Sequence, residues 1–389
     1  MRVLVFATTL GADLLSFVHH LHQQSGYDIR ILVSDRDTFL REPINRIRPL
    51  DVPLIERKKW HHFLGSPFFH PDVTIMDNKL PLRRLSEKAF ILWHGYGWKG
   101  PNDRVEFAWL HKQMKATWGD MTIPNPDMIW QCFGEPDFKH RSEISGFHPT
   151  NLRILGSASH DDLKKPLDRA LLQPYYPFDV VHRKTVLFAP TWHYGEVFAH
   201  WGKDAALFDR LIQHLHAKNT NIILRLHDSF RFPPDYVRFL EALAGRYSNL
   251  MLKFKDRNPD NFLDMQVSDV MLTNFSSIAN LFYATGRPTV HLYPVKSEDE
   301  AFMWRKNTIF GVKTEKVESV KFIWKYNPEE NGGFLARNFD DMISQTETSL
   351  ADPGSCRTHI ETYFSKHMVQ HPGGNCTAIQ KALEHQVNG

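Results

Sequence analysis

Short continuous apolar runs alternate along most of the chain with stretches in which apolar residues recur at helical spacing. Val3 to Ala7 reads as a buried parallel strand, and Asp13 to Gln23 places Leu14, Leu15, Phe17, Val18 and Leu21 on one helix face. Ile29 to Val33, Val73 to Met76 and Ala89 to Trp93 continue the strands, the last running directly into His94-Gly95. Ile129 to Phe133 is a further strand-like run. The alternation restarts with strands Thr185 to Ala189, Asn221 to Leu226, Met251 to Phe254, Val270 to Thr273 and Thr289 to Leu292. Helices are expected from about Lys203 to Lys218, from about Asp235 to Tyr247 and over Ser277 to Thr285. Strands alternating with helices in both halves predict two doubly wound α/β lobes.

Between the halves, Lys164-Lys165-Pro166 through Pro174-Tyr175-Tyr176-Pro177 is polar and proline-rich, which marks a boundary. The expected domains are 1–165, a linker 166–184, and 185–389, with the last helix able to cross back to the first lobe. A chain of 389 residues is too long for one ordinary core and suits two such domains. With 42% hydrophobic and 23% charged residues the composition is globular. The net charge of +3 gives no case for a nucleic-acid partner, so any anion site has to be local. Cys132, Cys356 and Cys376 are too few and too irregularly spaced for a disulfide framework or a zinc site. The opening apolar run is too short for a signal peptide, and no run reaches spanning length, so a cytoplasmic location is expected.

Candidate chemistry gathers just past the strand ends, where parallel sheets bind ligands. Four segments qualify: Trp93-His94-Gly95-Tyr96-Gly97-Trp98-Lys99, Ala189-Pro190-Thr191-Trp192-His193, Arg225-Leu226-His227-Asp228 and Thr273-Asn274-Phe275-Ser276-Ser277. Ser276 and Ser277 open a helix, where free N–H groups and hydroxyls favour phosphate; the ordinary alternative is a plain Ser helix cap. His94 suits a general base, with Gly95 leaving room for a substrate, although most histidines are structural. Lys99 and Arg225 can neutralise a diphosphate, unless they are solvated surface charges. No Asp-x-Asp pair in a promising loop and no His/Cys cluster at ligand spacing supports a metal or other cofactor, and the Walker and nucleophile-elbow motifs are absent.

These segments, with Gly156-Ser157-Ala158-Ser159-His160-Asp161, Ser268-Asp269, Gly286-Arg287-Pro288 and Gly373-Gly374-Asn375-Cys376, resemble in order the CDP-glycerol glycerophosphotransferase family, which builds teichoic acids and capsule polymers. Each motif is weak alone; their register over roughly 280 residues is what carries the resemblance. It implies a GT-B architecture of two Rossmann-type domains facing a central cleft. It further implies a CDP-linked polyol donor, a lipid-linked or polymer acceptor, and release of CMP. The implied roles are His94 as base, His227 and Arg225 on the diphosphate, and Ser276 and Ser277 on phosphate, with Gly95, Lys99, Thr191 and Asn274 completing the binding set. The chain departs from the family at His193 (usually Arg), Asp228 (Pro), Asn274 (Asp) and Gly156 to Ser159, which lacks Pro-Arg. A UDP-sugar transferase or epimerase, and an inactive subunit of a polymer-synthesis complex, are the competing expectations. Arg57-Lys58-Lys59-Trp60-His61-His62-Phe63-Leu64 mixes basic and aromatic residues as interfacial segments do; a solvated helix end is the favoured expectation, and peripheral contact with the inner membrane face is the alternative.

Overall fold

The computed structural model describes the chain except residues 8–9, 58–68, 78, 94, 100–103, 192–196, 294, 297–301, 309–310 and 318–323. It divides into two units, one comprising Met1–Tyr96, Asn102–Asp162 and Phe364–Gly389, the other Gly97–Pro101 and Leu163–Tyr363.

The first unit is built on a sheet of β1 (Arg2–Phe6), β2 (Asp28–Val33), β3 (Leu54–Glu56), β4 (Val73–Met76), β5 (Lys88–Ile91), β6 (Met128–Cys132) and β7 (Leu152–Ile154). Their order is β3-β2-β1-β4-β5-β6-β7 and every pairing is parallel. β4 and β6 are buried at every position and β1 from Val3 onward, so these central strands are mostly apolar, with only Thr74 and Gln131 polar among their buried residues. The helix Ala12–His22 buries Leu14, Leu15, Phe17, Val18 and Leu21, as its spacing requires. The C-terminal helix Asn375–Asn388 packs against it and against β5, burying Cys376, Ile379 and Leu383.

The second unit repeats the plan with β8 (Thr185–Phe188), β9 (Asn221–Leu226), β10 (Leu250–Phe254), β11 (Val270–Thr273), β12 (Thr289–Leu292) and, after an insertion, β15 (Phe334–Ala336). The order β10-β9-β8-β11-β12-β15 is parallel throughout. The helices Asp204–Ala217, Pro234–Arg246 and Phe339–Ala351 contribute Phe208, Leu211, Leu240, Leu243 and Met342 to one core. β15 can lie beside β12 only because Gly333 precedes it, since a Cβ there would stand 2.1 Å from the Thr289 carbonyl oxygen. The insertion carries an antiparallel hairpin, β13 (Phe302–Thr308) and β14 (Gly311–Val317), that joins neither large sheet.

The segment 166–184, expected to be a linker, lies within the second unit. It holds a short helix, Arg169–Leu172, and is tied down by Leu167 N–H to Gln266 Oε1 (3.2 Å) and by the Arg169–Asp269 ion pair (2.9 Å). The helix expected at 277–285 is shorter, Ile278–Tyr283.

Candidate functional site

In the second sheet the strand order reverses between β8 and β11, the topological switch point at which such sheets bind ligands beyond their strand ends. β8 leads into Ala189-Pro190-Thr191 and β11 into Asn274-Phe275-Ser276-Ser277. The two exits are stitched together. The Thr273 hydroxyl donates to the Ala189 carbonyl at 2.8 Å, and the Thr191 N–H donates to Asn274 Oδ1 at 2.6 Å. Asn274 is fully buried, and its Nδ2 has no hydrogen-bond partner among the described residues.

Phe275 takes a left-handed backbone conformation, φ 64°, which costs a non-glycine residue about 1 kcal/mol and turns β11 sharply into the following helix. Packing repays that strain: its buried ring lies 4.5 Å from His291, 5.0 Å from Trp324 and 5.3 Å from Trp98, centroid to centroid. After the turn, the Ser276 N–H donates to Thr273 Oγ1 at 3.3 Å. Ser277 occupies the helix N-cap position without capping it through its side chain. Both serines are half-buried and their hydroxyls are unengaged among the described residues, so the ordinary Ser cap is not what these hydroxyls do. The helix has only six residues, so the case for an anion here rests on hydroxyls and turn N–H groups, not on a long dipole.

Lys99 is brought to this turn. Its backbone bridges to Trp324, and its Nζ donates to the Asn274 carbonyl at 2.9 Å, lying 5.3 Å from the Trp324 ring and 5.7 Å from Phe275. Burial pushes its ammonium well below the usual lysine range, so Lys99 is no solvated surface charge. Two further residues, not singled out from the sequence, also gather here. Lys325 places Nζ 3.6 Å from where a Cβ on Gly97 would stand. His291, on the strand beside β11, is fully buried with Nε2 2.5 Å from the Tyr283 hydroxyl; burial, and secondarily the charge of Lys99, holds it near 3 and therefore neutral. A basic residue inside the aromatic run Trp324-Lys325-Tyr326 was the available signal for the first. Nothing local distinguishes a core histidine.

Arg225 is not arranged as expected. Its guanidinium turns inward to Asp264 Oδ2 (3.0 Å) and to the carbonyls of Asn258 (2.6 Å) and Pro259 (3.1 Å). Asp264 is 1% exposed and also receives Lys253 Nζ at 2.6 Å and the Tyr176 hydroxyl at 2.8 Å. Burial opposes the Asp264 charge, but Lys253 and Arg225 outweigh it and keep the carboxyl below its ordinary range. The arginine is thus committed to a buried carboxylate and is unavailable to a diphosphate in this conformation.

Two residues on, His227 and Asp228 leave the end of β9. The Asp228 N–H lies 2.9 Å from His227 Nδ1, and so does its carboxylate. The first contact needs Nδ1 unprotonated, hence a neutral ring carrying its proton on Nε2; the second needs a proton on Nδ1, in the neutral Nδ1–H tautomer or the charged ring. Burial lowers the His227 pKa, with Asp228 partly offsetting it, so the neutral ring is favoured. Arg231 Nε donates to Asp228 at 2.6 Å.

His94 and 58–64 of the first unit lie outside the described residues, as do Trp192 and His193 of the second; Gly95 is half-buried. The Gly156 to Asp161 segment is structural. Asp13 accepts from Gln131 Nε2 (2.9 Å), the Ser157 hydroxyl (2.5 Å), and the N–H (3.0 Å) and hydroxyl (2.7 Å) of Ser159. Asp161 caps the C-terminal helix through the N–H groups of Asn375 (3.0 Å) and Cys376 (2.7 Å). Among the described residues no group of three or more His, Cys, Asp or Glu could hold a metal ion, and no helix is long and apolar enough to cross a membrane.

The model of the family described as CDP-glycerol:poly(glycerophosphate) glycerophosphotransferase matches residues 173–298. That stretch contains Thr191, Arg225, His227, Asn274, Ser276 and Ser277. No curated protein matches the sequence. Among solved structures, a histidine variant of the wall teichoic acid polymerase TagF soaked with CDPG superposes with a TM-score of 0.68 at 13% identity, covering 100% of this chain and 89% of that one. The S. aureus MnaA–UDP structure gives 0.54 at 10% identity, covering 100% and 97%. The Neisseria meningitidis UDP-GlcNAc 2-epimerase gives 0.53 at 11% identity, with both chains fully covered. At these identities the likeness is one of fold, and it agrees with the two parallel α/β sheets of a GT-B-like architecture.

Proposed function

We propose that this chain transfers a polyol-phosphate unit, such as glycerol phosphate, from a CDP-activated donor to a hydroxyl of a polymer or lipid-linked acceptor. The observation that carries this reading is the coincidence of the family match at 173–298 with the stitched switch point, where Ser276 and Ser277, their hydroxyls unengaged among the described residues, follow a turn fixed by Asn274, Phe275 and Lys99. In this reading the donor diphosphate takes hydrogen bonds from both serine hydroxyls and the adjacent N–H groups, with Thr191 beside them. His227, protonated on both nitrogens once the donor's negative charge is in place, gives Nδ1–H to Asp228 and Nε2–H to a phosphate oxygen. His94 accepts the proton of the acceptor hydroxyl as that oxygen bonds to the phosphorus bearing the polyol; the bond to CMP breaks, and CMP leaves with the electron pair. Arg225 acts indirectly, by fixing the end of β9 from which His227 projects. Because the acceptor is a cell-envelope polymer or its lipid carrier, the reaction belongs at the cytoplasmic face of the membrane.

Calorimetry with CMP, CDP-glycerol, CDP-ribitol, UDP and UDP-N-acetylglucosamine tests this, repeated on Ser276→Ala/Ser277→Ala. Cytidine selectivity, at least tenfold weaker binding in the double variant, and CMP release on adding a glycerol-phosphate oligomer are expected. Uridine selectivity would instead favour a sugar-nucleotide enzyme, a reading to which the fold likeness with the two UDP-linked proteins gives weight. Binding to none of the five would point to an inactive subunit.

A further inference from the structure

In the first unit the 3-10 turn Arg104–Phe107 leads into the helix Ala108–Thr117, whose two faces are unlike. Inward, Leu110 and Met114, with Phe107 before the helix and Trp118 after it, are buried in the core of that unit. Both ends are fixed against the strand β5. The Phe107 ring lies 5.6 Å, centroid to centroid, from that of Trp93, the residue before His94, and the Trp118 indole N–H donates to the Ser86 carbonyl at 3.0 Å, just ahead of the strand. The helix therefore starts beside the strand end that leads to His94 and runs back toward the other end of β5.

Outward, helical spacing gathers Arg104, Ala108, Lys112 and Lys115 into one row with Trp109 and Ala116 on its flank; all six are exposed, Trp109 by 52%. At the rise of a helix the row spans about 17 Å. It holds no carboxylate. Glu106 turns away, its Oε2 3.9 Å from the Arg141 guanidinium, and Asp120, beyond the helix end, meets Lys115 at 2.9 Å. Neither Arg104 nor Lys112 has an ion-pair partner among the described residues. Lys112 and Lys115, three residues apart, are like charges on one face, a spacing at which an acidic partner would have supported the helix. A bilayer is met by a continuous apolar stripe, and the apolar stripe of this helix is already buried, with Trp109 the one large apolar side chain on its outer face. A flexible chain bearing a negative charge at every repeat matches a row of cations instead, and the Trp109 ring offers its C–H groups a surface.

We propose that the outer face of residues 104–117 is a track for a polyanionic polyol-phosphate chain, which runs along the helix from the strand end that leads to His94. The assignment rests on the polymer-acceptor reading above and gives that acceptor a surface. The test is fluorescence anisotropy of labelled glycerol-phosphate oligomers, a dimer and a dodecamer, with the full chain and no nucleotide, at low and high salt. Wild type, Arg104→Glu/Lys112→Glu, Arg104→Gln/Lys112→Gln and Trp109→Ala are compared. The dodecamer should bind at least tenfold more tightly than the dimer, and high salt should erase most of that advantage. Charge reversal should abolish it, the glutamine pair should reduce it, and Trp109→Ala should weaken the dodecamer several-fold. Because these side chains are exposed, urea midpoints should match wild type, which separates lost binding from lost fold. Equal affinity for the two oligomers, or a charge-reversed variant that keeps the advantage, would overturn the assignment. Unchanged oligomer binding together with lost sedimentation on phosphatidylglycerol vesicles in that variant would replace the polymer with a bilayer. With no nucleotide present, failure here leaves the cytidine-donor reading standing, and uridine selectivity in the calorimetry leaves this expectation standing.

Discussion

Asp228 shows how a single carboxylate links local chemistry to pH. Burial opposes its ionisation, yet the hydrogen bond to His227 and the Arg231 guanidinium hold it at about 2 instead of 3.8. A depressed carboxylate stabilises the fold above its unfolded value and loses that contribution as pH falls through its folded value. The window is therefore roughly pH 4 to 2, and the shift corresponds to about 2 kcal/mol at neutral pH. His227 acts in the same direction, because a ring kept neutral by burial is penalised once the unfolded chain begins to protonate below 6.5. Urea unfolding of Asp228→Asn at pH 7 should show a loss of about 1 to 2 kcal/mol that shrinks at pH 3; an equal loss at both values would mean the carboxylate charge is not what matters. Arg225 gives the contrasting lesson. Its place at a strand end was legible in the sequence, but its orientation was not, since the carboxylate that claims it, Asp264, lies 39 residues away in the chain.

At the scale of elements, long apolar strands and amphipathic helices declared themselves, because burial on both faces or on one stripe leaves a pattern. The three-residue strands β3, β7 and β15 did not, being too short to hold a period. The strand-to-helix turn at Phe275 was legible as a location but not as a conformation. Its left-handed φ reverses the ordinary ranking of small residues. Phe275→Ala and Phe275→Gly both lose the ring contacts with Trp98, His291 and Trp324, so the difference between them reports the backbone alone. Glycine should be the more stable of the two by about 1 kcal/mol in urea unfolding. Alanine equal to or better than glycine would show that the turn is not left-handed in solution.

At the scale of the whole molecule, both sheets use the same order, a reversal between the first and fourth strands of each, and that repetition is why an alternating pattern sufficed to read the fold class. What the pattern could not fix was the path of the chain after the second sheet. Residues 364–389 return to the first unit, where Ile379 and Leu383 are fully buried, Gln386 Nε2 donates to the Ala89 carbonyl at 3.0 Å, and Asp161 caps the helix. Removing a buried Ile or Leu side chain costs about 2 to 5 kcal/mol each, and a domain's entire stability is about 5 to 15. A chain ending at Tyr363 therefore loses more than its first unit can spare, while the described contacts that fix the Asn274 to Ser277 turn lie within the second unit and are kept. Hydrogen exchange should show β1, β4 and β5 deprotected in the truncated chain and β8, β9 and β11 still protected. Continued protection of β1 and β5 would mean the C-terminal helix is an accessory to that core. Loss of protection in both sheets would mean that the two units fold as one cooperative body, whose second sheet depends on a helix belonging to the first.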